Sequence, residues 1–175
     1  MSTYTVTRGI AIDAGHRIMT HGSKCRHLHG HRYVVEAECQ AGHLVEDGGE
    51  QTDMVLDFGF LKEEMLARID AFCDHGFIAN IADSALLAMF APKEEEAGWQ
   101  RRCAAEVRAH GFFLDECNCL GTKLYLVPFN PTAECLARHW FERLEEPVRR
   151  RSGGLARLVR ISVWETPNCR ADYQP

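Results

Sequence analysis

The sequence lacks any apolar run approaching the roughly 20 residues that a membrane-spanning helix needs, so we expect no membrane partner. No basic segment followed by an apolar one opens the chain, and without such a secretory leader we expect a cytoplasmic protein. An excess of positive charge is also missing, since the chain has 20 Lys and Arg residues against 25 Asp and Glu residues and a net charge of -5. Nucleic-acid binding usually requires a clustered basic face, so we expect no nucleic-acid partner.

A disulfide framework is absent as well. The eight cysteines are scattered without regular spacing, so we expect reduced thiols. Cys117-x-Cys119 resembles half of a structural metal site, but no second pair accompanies it, and we interpret both as ordinary thiols. No internal repeat or low-complexity tract interrupts the 175 residues, a length that suits one domain with its own core. We therefore predict a single domain over 1–175.

Hydrophobic periodicity predicts five main elements in the order strand, strand, helix, helix, strand. Their predicted ranges are 3–16, 31–40, 58–73, 131–151 and 155–165. Asp57 is the predicted N-cap of the first helix. Asn130 is the predicted cap of the second, with Pro131 at its first position. This order predicts an α+β protein with an antiparallel sheet.

The remaining segments have weaker patterns. Met54 to Leu56 is interpreted as a short strand, Pro92 to His110 as a charged helix, and Lys123 to Val127 as a strand. The stretch 76–130 as a whole shows no clear architecture.

A cluster of histidines points to a metal site. Residues two apart on a strand face the same side, so His29 and His31 can reach one ion, and antiparallel pairing of the first two strands would bring His16 beside them. Three imidazoles on a buried face need partners, and zinc would satisfy all three while leaving a fourth position open, as catalytic zinc sites do. Spacing alone does not fix the trio, because His27 has the same parity and His21 is near. A merely hydrogen-bonded or exposed pair is the alternative.

Four further residues could carry acid–base or binding chemistry. Cys25 is either an inert thiol or a thiolate base, and Asp74-His75 is either a helix-end charge pair or a proton-transfer pair. Glu165 continues the parity of the apolar residues Val159, Ile161 and Val163. A carboxylate at that place would suit a ligand with two parallel N–H donors, unless the chain has already left the sheet.

Taken together, these residues resemble the 6-pyruvoyl-tetrahydropterin synthase / 6-carboxy-tetrahydropterin synthase family. The resemblance covers nearly the whole chain except 76–130. The matching pieces are Ala14-Gly15-His16, Cys25-x-x-x-His29-Gly30-His31-x-Tyr33, Val55-Leu56-Asp57-Phe58, Asp74-His75, Asn130-Pro131-Thr132-Ala133-Glu134, and Glu165-Thr166 with Tyr173.

The resemblance implies a role for each site residue. The zinc ligands would be His16, His29 and His31. The proton-transfer groups would be Cys25 as general base, with Asp74 and His75 as a second pair. The pterin-binding residues would be Glu165, which anchors the ring, and Thr132 and Glu134 near the pocket.

The resemblance also implies a tunnelling fold. In that fold a four-stranded antiparallel sheet carries two helices on one face and assembles into an oligomeric barrel, often a hexamer, with active sites between subunits. The stretch 76–130 is longer than the loop the family usually has there. We interpret it as an insertion that would lid the pocket, extend the interface or change the substrate.

The implied reaction converts 7,8-dihydroneopterin triphosphate to 6-carboxy-5,6,7,8-tetrahydropterin, with release of acetaldehyde and triphosphate, in queuosine and deazapurine biosynthesis. The compact spacing of Cys25 and His29 resembles this branch. The alternatives are 6-pyruvoyl-tetrahydropterin synthesis and a non-catalytic pterin- or purine-binding module. A zinc hydrolase is weaker, because no His-Glu-x-x-His motif is present.

Overall fold

The computed structural model describes residues 2–175 and contains seven strands and four main helices. The strands are β1 (Tyr4–His16), β2 (His29–Ala41), β3 (Gly76–Asn80), β4 (Phe113–Asp115), β5 (Leu124–Val127), β6 (Arg157–Thr166) and β7 (Cys169–Tyr173). The helices are α1 (Phe58–Met65), α2 (Ser84–Phe90), α3 (Glu96–His110) and α4 (Ala133–Arg151). A π-helical turn, Leu66–Asp70, and a last turn, Ala71–Cys73, prolong α1. None of these helices combines the length and apolar character needed to cross a bilayer.

One continuous sheet contains all seven strands in the order β4-β5-β3-β1-β2-β6-β7. β1, β2, β6 and β7 are antiparallel neighbours, whereas β3 pairs in parallel with both β1 and β5. The α+β class is confirmed, but the prediction of four strands is wrong. β4 has only three residues, and β7 is a polar edge strand, so neither shows a strong apolar alternation.

The two faces of the sheet are covered differently. α1 and α4 pack on the face that carries the inward residues of β1 and β2, and this main core includes Tyr33 and Trp140. A second core lies under α2 and α3, where Trp99 packs with Leu124 and Leu126 of β5. Neighbouring residues of β5 therefore belong to opposite cores. Its sequence is apolar throughout because both faces of the strand are buried.

The helix boundaries agree with the sequence except at one cap. Asp57 caps α1, accepting a hydrogen bond of 2.6 Å from the Gly59 N–H, as predicted. The predicted cap Asn130 is wrong, because Thr132 caps α4 by accepting from the Cys135 N–H at 3.3 Å. The Asn130 side chain is bonded elsewhere.

Two strand details also differ from the predictions. Met54 to Leu56 is irregular rather than a strand, although its apolar side chains Val55 and Leu56 are buried. In β6, Leu158 is buried and Val159 only half-buried, because the register with β2 shifts between Glu38 and Cys39. The predicted helix within Pro92 to His110 and the predicted strand within Lys123 to Val127 are confirmed as α3 and β5.

Candidate metal centre and active-site pocket

Three histidines meet where β1 ends and β2 begins. His16 pairs directly with His29, and their ring centroids lie 4.4 Å apart. The His31 ring lies 5.1 Å from each of them. One candidate ligand atom from each ring falls within 4.8 Å of the others, and no other group of three such residues is found within residues 2–175. The antiparallel pairing thus brings together the trio that strand parity favoured.

Backbone carbonyls orient two of these rings. Nδ1 of His16 lies 2.8 Å from the Pro131 carbonyl oxygen, and Nδ1 of His29 lies 2.8 Å from the His27 carbonyl oxygen. A carbonyl oxygen only accepts hydrogen bonds, so Nδ1 of each ring carries the proton and Nε2 keeps its lone pair. This is the arrangement in which histidines bind metals.

His16 gives the sharpest test of whether a metal fits. Its side chain is 2 % exposed, and its Nε2 is buried without any hydrogen-bond partner among the described residues. Buried polar atoms are nearly always satisfied, so an unpartnered imidazole nitrogen aimed at two more imidazoles suits a divalent cation.

Burial favours the neutral form of two of the three histidines. Burial lowers the pKa of His16 to about 4, an effect that the hydrogen bond to Pro131 opposes and the nearby His29 reinforces. Burial also lowers the pKa of His31. Imidazole must be unprotonated to bind a metal, so low pKa values keep these two nitrogens available at neutral pH.

A pocket of about 350 Å³ opens beside His16. Its lining includes five of the site residues predicted from sequence, namely His16, Cys25, Thr132, Glu134 and Glu165. Sequence reasoning did not place Ile18, Asn168 or Cys169 in this lining, because loops and a hairpin supply them and no periodic pattern marks them. The pocket therefore brings two thiols, Cys25 and Cys169, and two carboxylates to the side of the metal-ligand cluster where His16 lies.

Local structure fixes each wall of this pocket. Cys25 lies in a short 3-10 turn whose loop is closed by a 2.8 Å bond from the Ile18 N–H to the Cys25 carbonyl, and its thiol is half-buried. Glu165 is still within β6 and is half-buried, so the chain has not left the sheet there. Thr132 and Glu134 stand at the first turn of α4, where a carboxylate interacts favourably with the helix dipole.

Asp74 and His75 form a pair, but neither lines this pocket. His75 Nδ1 lies 2.7 Å from Asp74 Oδ2, and the backbone amides of Asp13 and His75 tie both residues to the edge of β1. The hydrogen bond from the Asp13 N–H holds the pKa of Asp74 below its usual value. The His75 side chain is 79 % exposed, on a backbone with φ of 56°. The pair is thus preformed and faces solvent in a single chain.

The other sulfur and imidazole groups have simpler surroundings. Cys117 and Cys119 are exposed free thiols, and the Cys119 thiol donates to the Met89 carbonyl at 3.3 Å. His27 contributes its backbone carbonyl to the orientation of His29. His21 lies in the lining of the pocket.

The sequence matches the model of the family described as 6-pyruvoyl tetrahydropterin synthase over residues 5–175. The chain belongs to this family. A 6-carboxy-5,6,7,8-tetrahydropterin synthase from Rickettsia felis is 33% identical over 163 residues, covering 93% of this chain and 94% of that protein. A protein of the same name from Aquifex aeolicus is 27% identical over 189 residues, covering 98% of each. Membership in this family supports a lyase-type enzyme.

Two solved structures share the fold. An uncharacterised protein from Wolinella succinogenes superposes with a TM-score of 0.71 at 20% identity, covering 99% of both chains. The 6-pyruvoyl tetrahydropterin synthase of Caenorhabditis elegans superposes with a TM-score of 0.58 at 20% identity, covering 100% of this chain and 97% of that one. The predicted tunnelling fold of the single chain is therefore confirmed, with a sheet of seven strands rather than four, and its assembly into a barrel stays a prediction.

Proposed function

We propose that this family member is a zinc-dependent 6-carboxy-5,6,7,8-tetrahydropterin synthase that acts on 7,8-dihydroneopterin triphosphate and releases acetaldehyde and triphosphate. The reaction would supply queuosine and other deazapurines. The observation that carries the proposal is the unpartnered Nε2 of His16, which lies in a three-histidine cluster at a pocket shared with Cys25 and Glu165. The names of the curated relatives favour the 6-carboxy branch.

His16, His29 and His31 would hold the zinc ion. When bound, zinc would supply a Lewis acid that stabilises negative charge on oxygen atoms of the substrate side chain. The protein's part is to present three clustered imidazoles, of which His16 and His29 have Nδ1 bonded to backbone carbonyl oxygens.

Glu165 would orient the pterin ring. Its carboxylate can accept two parallel N–H bonds, one from the ring and one from the exocyclic amino group, and such charge-assisted pairs fix a planar ligand. Because Glu165 lines the same pocket as His16, which belongs to the metal-ligand cluster, the ring and the side chain of one substrate would be held by different groups of this pocket. Cys25, which also lines the pocket, would remove a proton from the substrate side chain as a thiolate.

Asp74 and His75 would complete the site from a neighbouring copy. β3 covers β1 only at Ala14 to His16, so the rest of that edge is unpaired in one chain, as is the outer edge of β7. Free strand edges favour pairing with another strand, and a barrel of several copies would satisfy them. We propose a homo-oligomer, as the family's hexamers imply, in which each pocket receives the exposed imidazole of another subunit.

Incubation of the zinc-loaded protein with dihydroneopterin triphosphate, followed by mass spectrometry, tests the reaction. We expect 6-carboxy-tetrahydropterin and acetaldehyde. A 6-pyruvoyl product would assign the other branch, and tight substrate binding without any product would indicate a binding module instead of an enzyme.

Mixed oligomers test the shared site. Cys25→Ala and His75→Ala should each be inactive alone. Subunits of the two variants, dissociated and reassembled together, should regain part of the activity, because some pockets then combine an intact Cys25 with an intact His75. If the mixture stays as inactive as its parents, the two residues do not belong to one intersubunit site.

A further inference from the structure

His16 lies at the end of β1, and the segment 76–130 supports it from both faces of the sheet. On the face covered by α2, the residue that follows His16 forms a paired ion contact. Arg17 Nε and Nη2 lie 2.6 Å from Asp83 Oδ2 and Oδ1, respectively. Asp83 is 4 % exposed and also caps α2 by accepting from the Leu86 N–H at 3.1 Å. A bidentate pair with a buried carboxylate fixes the chain direction immediately after the ligand residue.

On the face covered by α4, a second set of bonds reaches the His16 ring. The Pro131 carbonyl that accepts from His16 Nδ1 follows Asn130, whose side-chain oxygen accepts from Asn80 Nδ2 at 3.1 Å. Asn130 Nδ2 in turn donates to Thr20 Oγ1 at 2.9 Å. The position of the carbonyl that orients the imidazole therefore depends on the end of β3.

One short turn carries both supports. Asn80 is the last residue of β3, and its side-chain oxygen accepts from the Ala82 N–H at 2.9 Å, which orders the chain that leads to Asp83. In parallel register, His16 pairs with Ile78, two residues earlier. The same few residues thus contact β1, Arg17 and the side chain of Asn130, which precedes the carbonyl that orients the ring.

We infer that Asn80 and Asp83 are positioning residues for the metal ligand His16, acting through Pro131 and Arg17, respectively. The inference rests on the proposed metal site and gives part of 76–130 a function other than covering the pocket. A ligand held to within about 0.5 Å binds its metal without a reorganisation cost. If either support is removed, the His16 imidazole has more conformations to lose when the ion binds.

The test compares metal affinity in the full-length, metal-free wild type and in Asp83→Asn, by competition for Zn²⁺ with a chelating dye. Asparagine keeps the size of the side chain and an oxygen for the Leu86 N–H but lacks the charge that pairs with Arg17. We expect about tenfold weaker binding, since residues that orient metal ligands typically contribute 10- to 100-fold. The Co²⁺-loaded variant should also show an altered visible absorption spectrum.

Asp115→Asn is the matched control. Asp115 lies in the same segment, is 3 % exposed, and accepts from Trp99 Nε1 at 3.2 Å and Asn118 Nδ2 at 3.0 Å. Replacing the Asp115 carboxylate by an amide should lower thermal stability without weakening metal binding. Arg17→Gln, which changes the partly exposed end of the pair, gives a second variant in case Asp83→Asn does not fold, and it should weaken binding similarly.

The outcomes separate the inference from the proposed function. Equal metal affinity in wild type, Asp83→Asn and Arg17→Gln would overturn the positioning role of Asp83 while leaving the metal site intact. Equal losses in Asp83→Asn and Asp115→Asn would overturn it too, because general destabilisation would then explain both. A wild type that binds neither Zn²⁺ nor Co²⁺ would remove the proposed metal site and the inference together.

Discussion

A buried histidine away from the pocket should make the stability of this protein depend on acid. His139 on α4 is 7 % exposed, and its Nε2 lies 2.7 Å from the Tyr125 hydroxyl oxygen. Arg143 Nη1 donates to the same oxygen at 2.8 Å, so the hydroxyl proton is free to point at His139. The Arg143 guanidinium also stacks 4.0 Å from the centre of the Phe112 ring. This network holds His139 neutral.

The size of this loss of stability in acid follows from the pKa of His139. Burial, reinforced by the charge of Arg143, lowers the pKa of His139 from 6.5 to about 4. The folded state then binds fewer protons than the unfolded state between these values, so stability falls as the pH falls from about 6.5 to 4 and levels off below. At about 1.4 kcal/mol for each pKa unit, His139 should account for about 3 kcal/mol of that loss.

Urea unfolding of the metal-free protein at a series of pH values between 4 and 7 measures this effect. His139→Gln offers the Tyr125 hydroxyl another acceptor but cannot be protonated. The free energy of unfolding of the wild type, minus that of the variant, should therefore decrease by about 3 kcal/mol as the pH is lowered from about 6.5 to 4. His110→Gln, at an exposed position on α3, serves as the control and should keep the wild-type slope. A His139→Gln curve parallel to the wild-type curve would refute the assignment of a neutral, buried imidazole.

Two further substitutions test the pocket. Cys25→Ala should keep the wild-type zinc content, measured by elemental analysis, but lose turnover. The control is Cys117→Ala, which removes an exposed thiol outside the pocket and should keep both zinc and turnover. Full activity in Cys25→Ala would show that this thiol takes no part in proton transfer. Glu165→Gln should lower kcat/KM roughly tenfold to hundredfold, the range for a lost hydrogen-bond pair to a charged group, with zinc content unchanged. Glu142→Gln, an exposed residue of α4 outside the pocket, is its control, and equal kinetics in the two variants would contradict the anchoring role.

Strand parity made part of the site predictable from sequence. Because successive residues alternate across a sheet, strand parity predicts His16, His29 and Glu165 on the buried side of their strands. In the structure His16 and His29 belong to the metal-ligand cluster, and His16 and Glu165 line one pocket. The prediction that Val159 lies on the buried face is wrong, because a register shift between β2 and β6 adds one residue and reverses the alternation locally. A bulge of this kind leaves no composition signal in a single strand.

The segment 76–130 resisted prediction for a different reason. β5 is predicted from its apolar run, but β3 has five residues and β4 only three, so neither is long enough to show the two-residue period that identifies a half-buried strand. Asn80 and Asp83 resemble ordinary turn residues in the sequence. Their importance lies in contacts with Asn130 and Arg17, which are 50 and 66 residues away along the chain, and no local pattern encodes those contacts.

His16 and His139 show what distinguishes a metal ligand from a core histidine in this fold. Both are buried, and burial lowers the pKa of each to about 4. The difference lies at Nε2. In His139 that nitrogen meets the Tyr125 hydroxyl, so the protein itself satisfies the ring, whereas in His16 it has no partner among the described residues. An unpaired buried acceptor costs about 1–3 kcal/mol. Because Nε2 of His16 faces two more imidazoles, binding of a cation there would recover that free energy. The unpaired nitrogen is therefore stronger evidence for a metal than the spacing of the histidines.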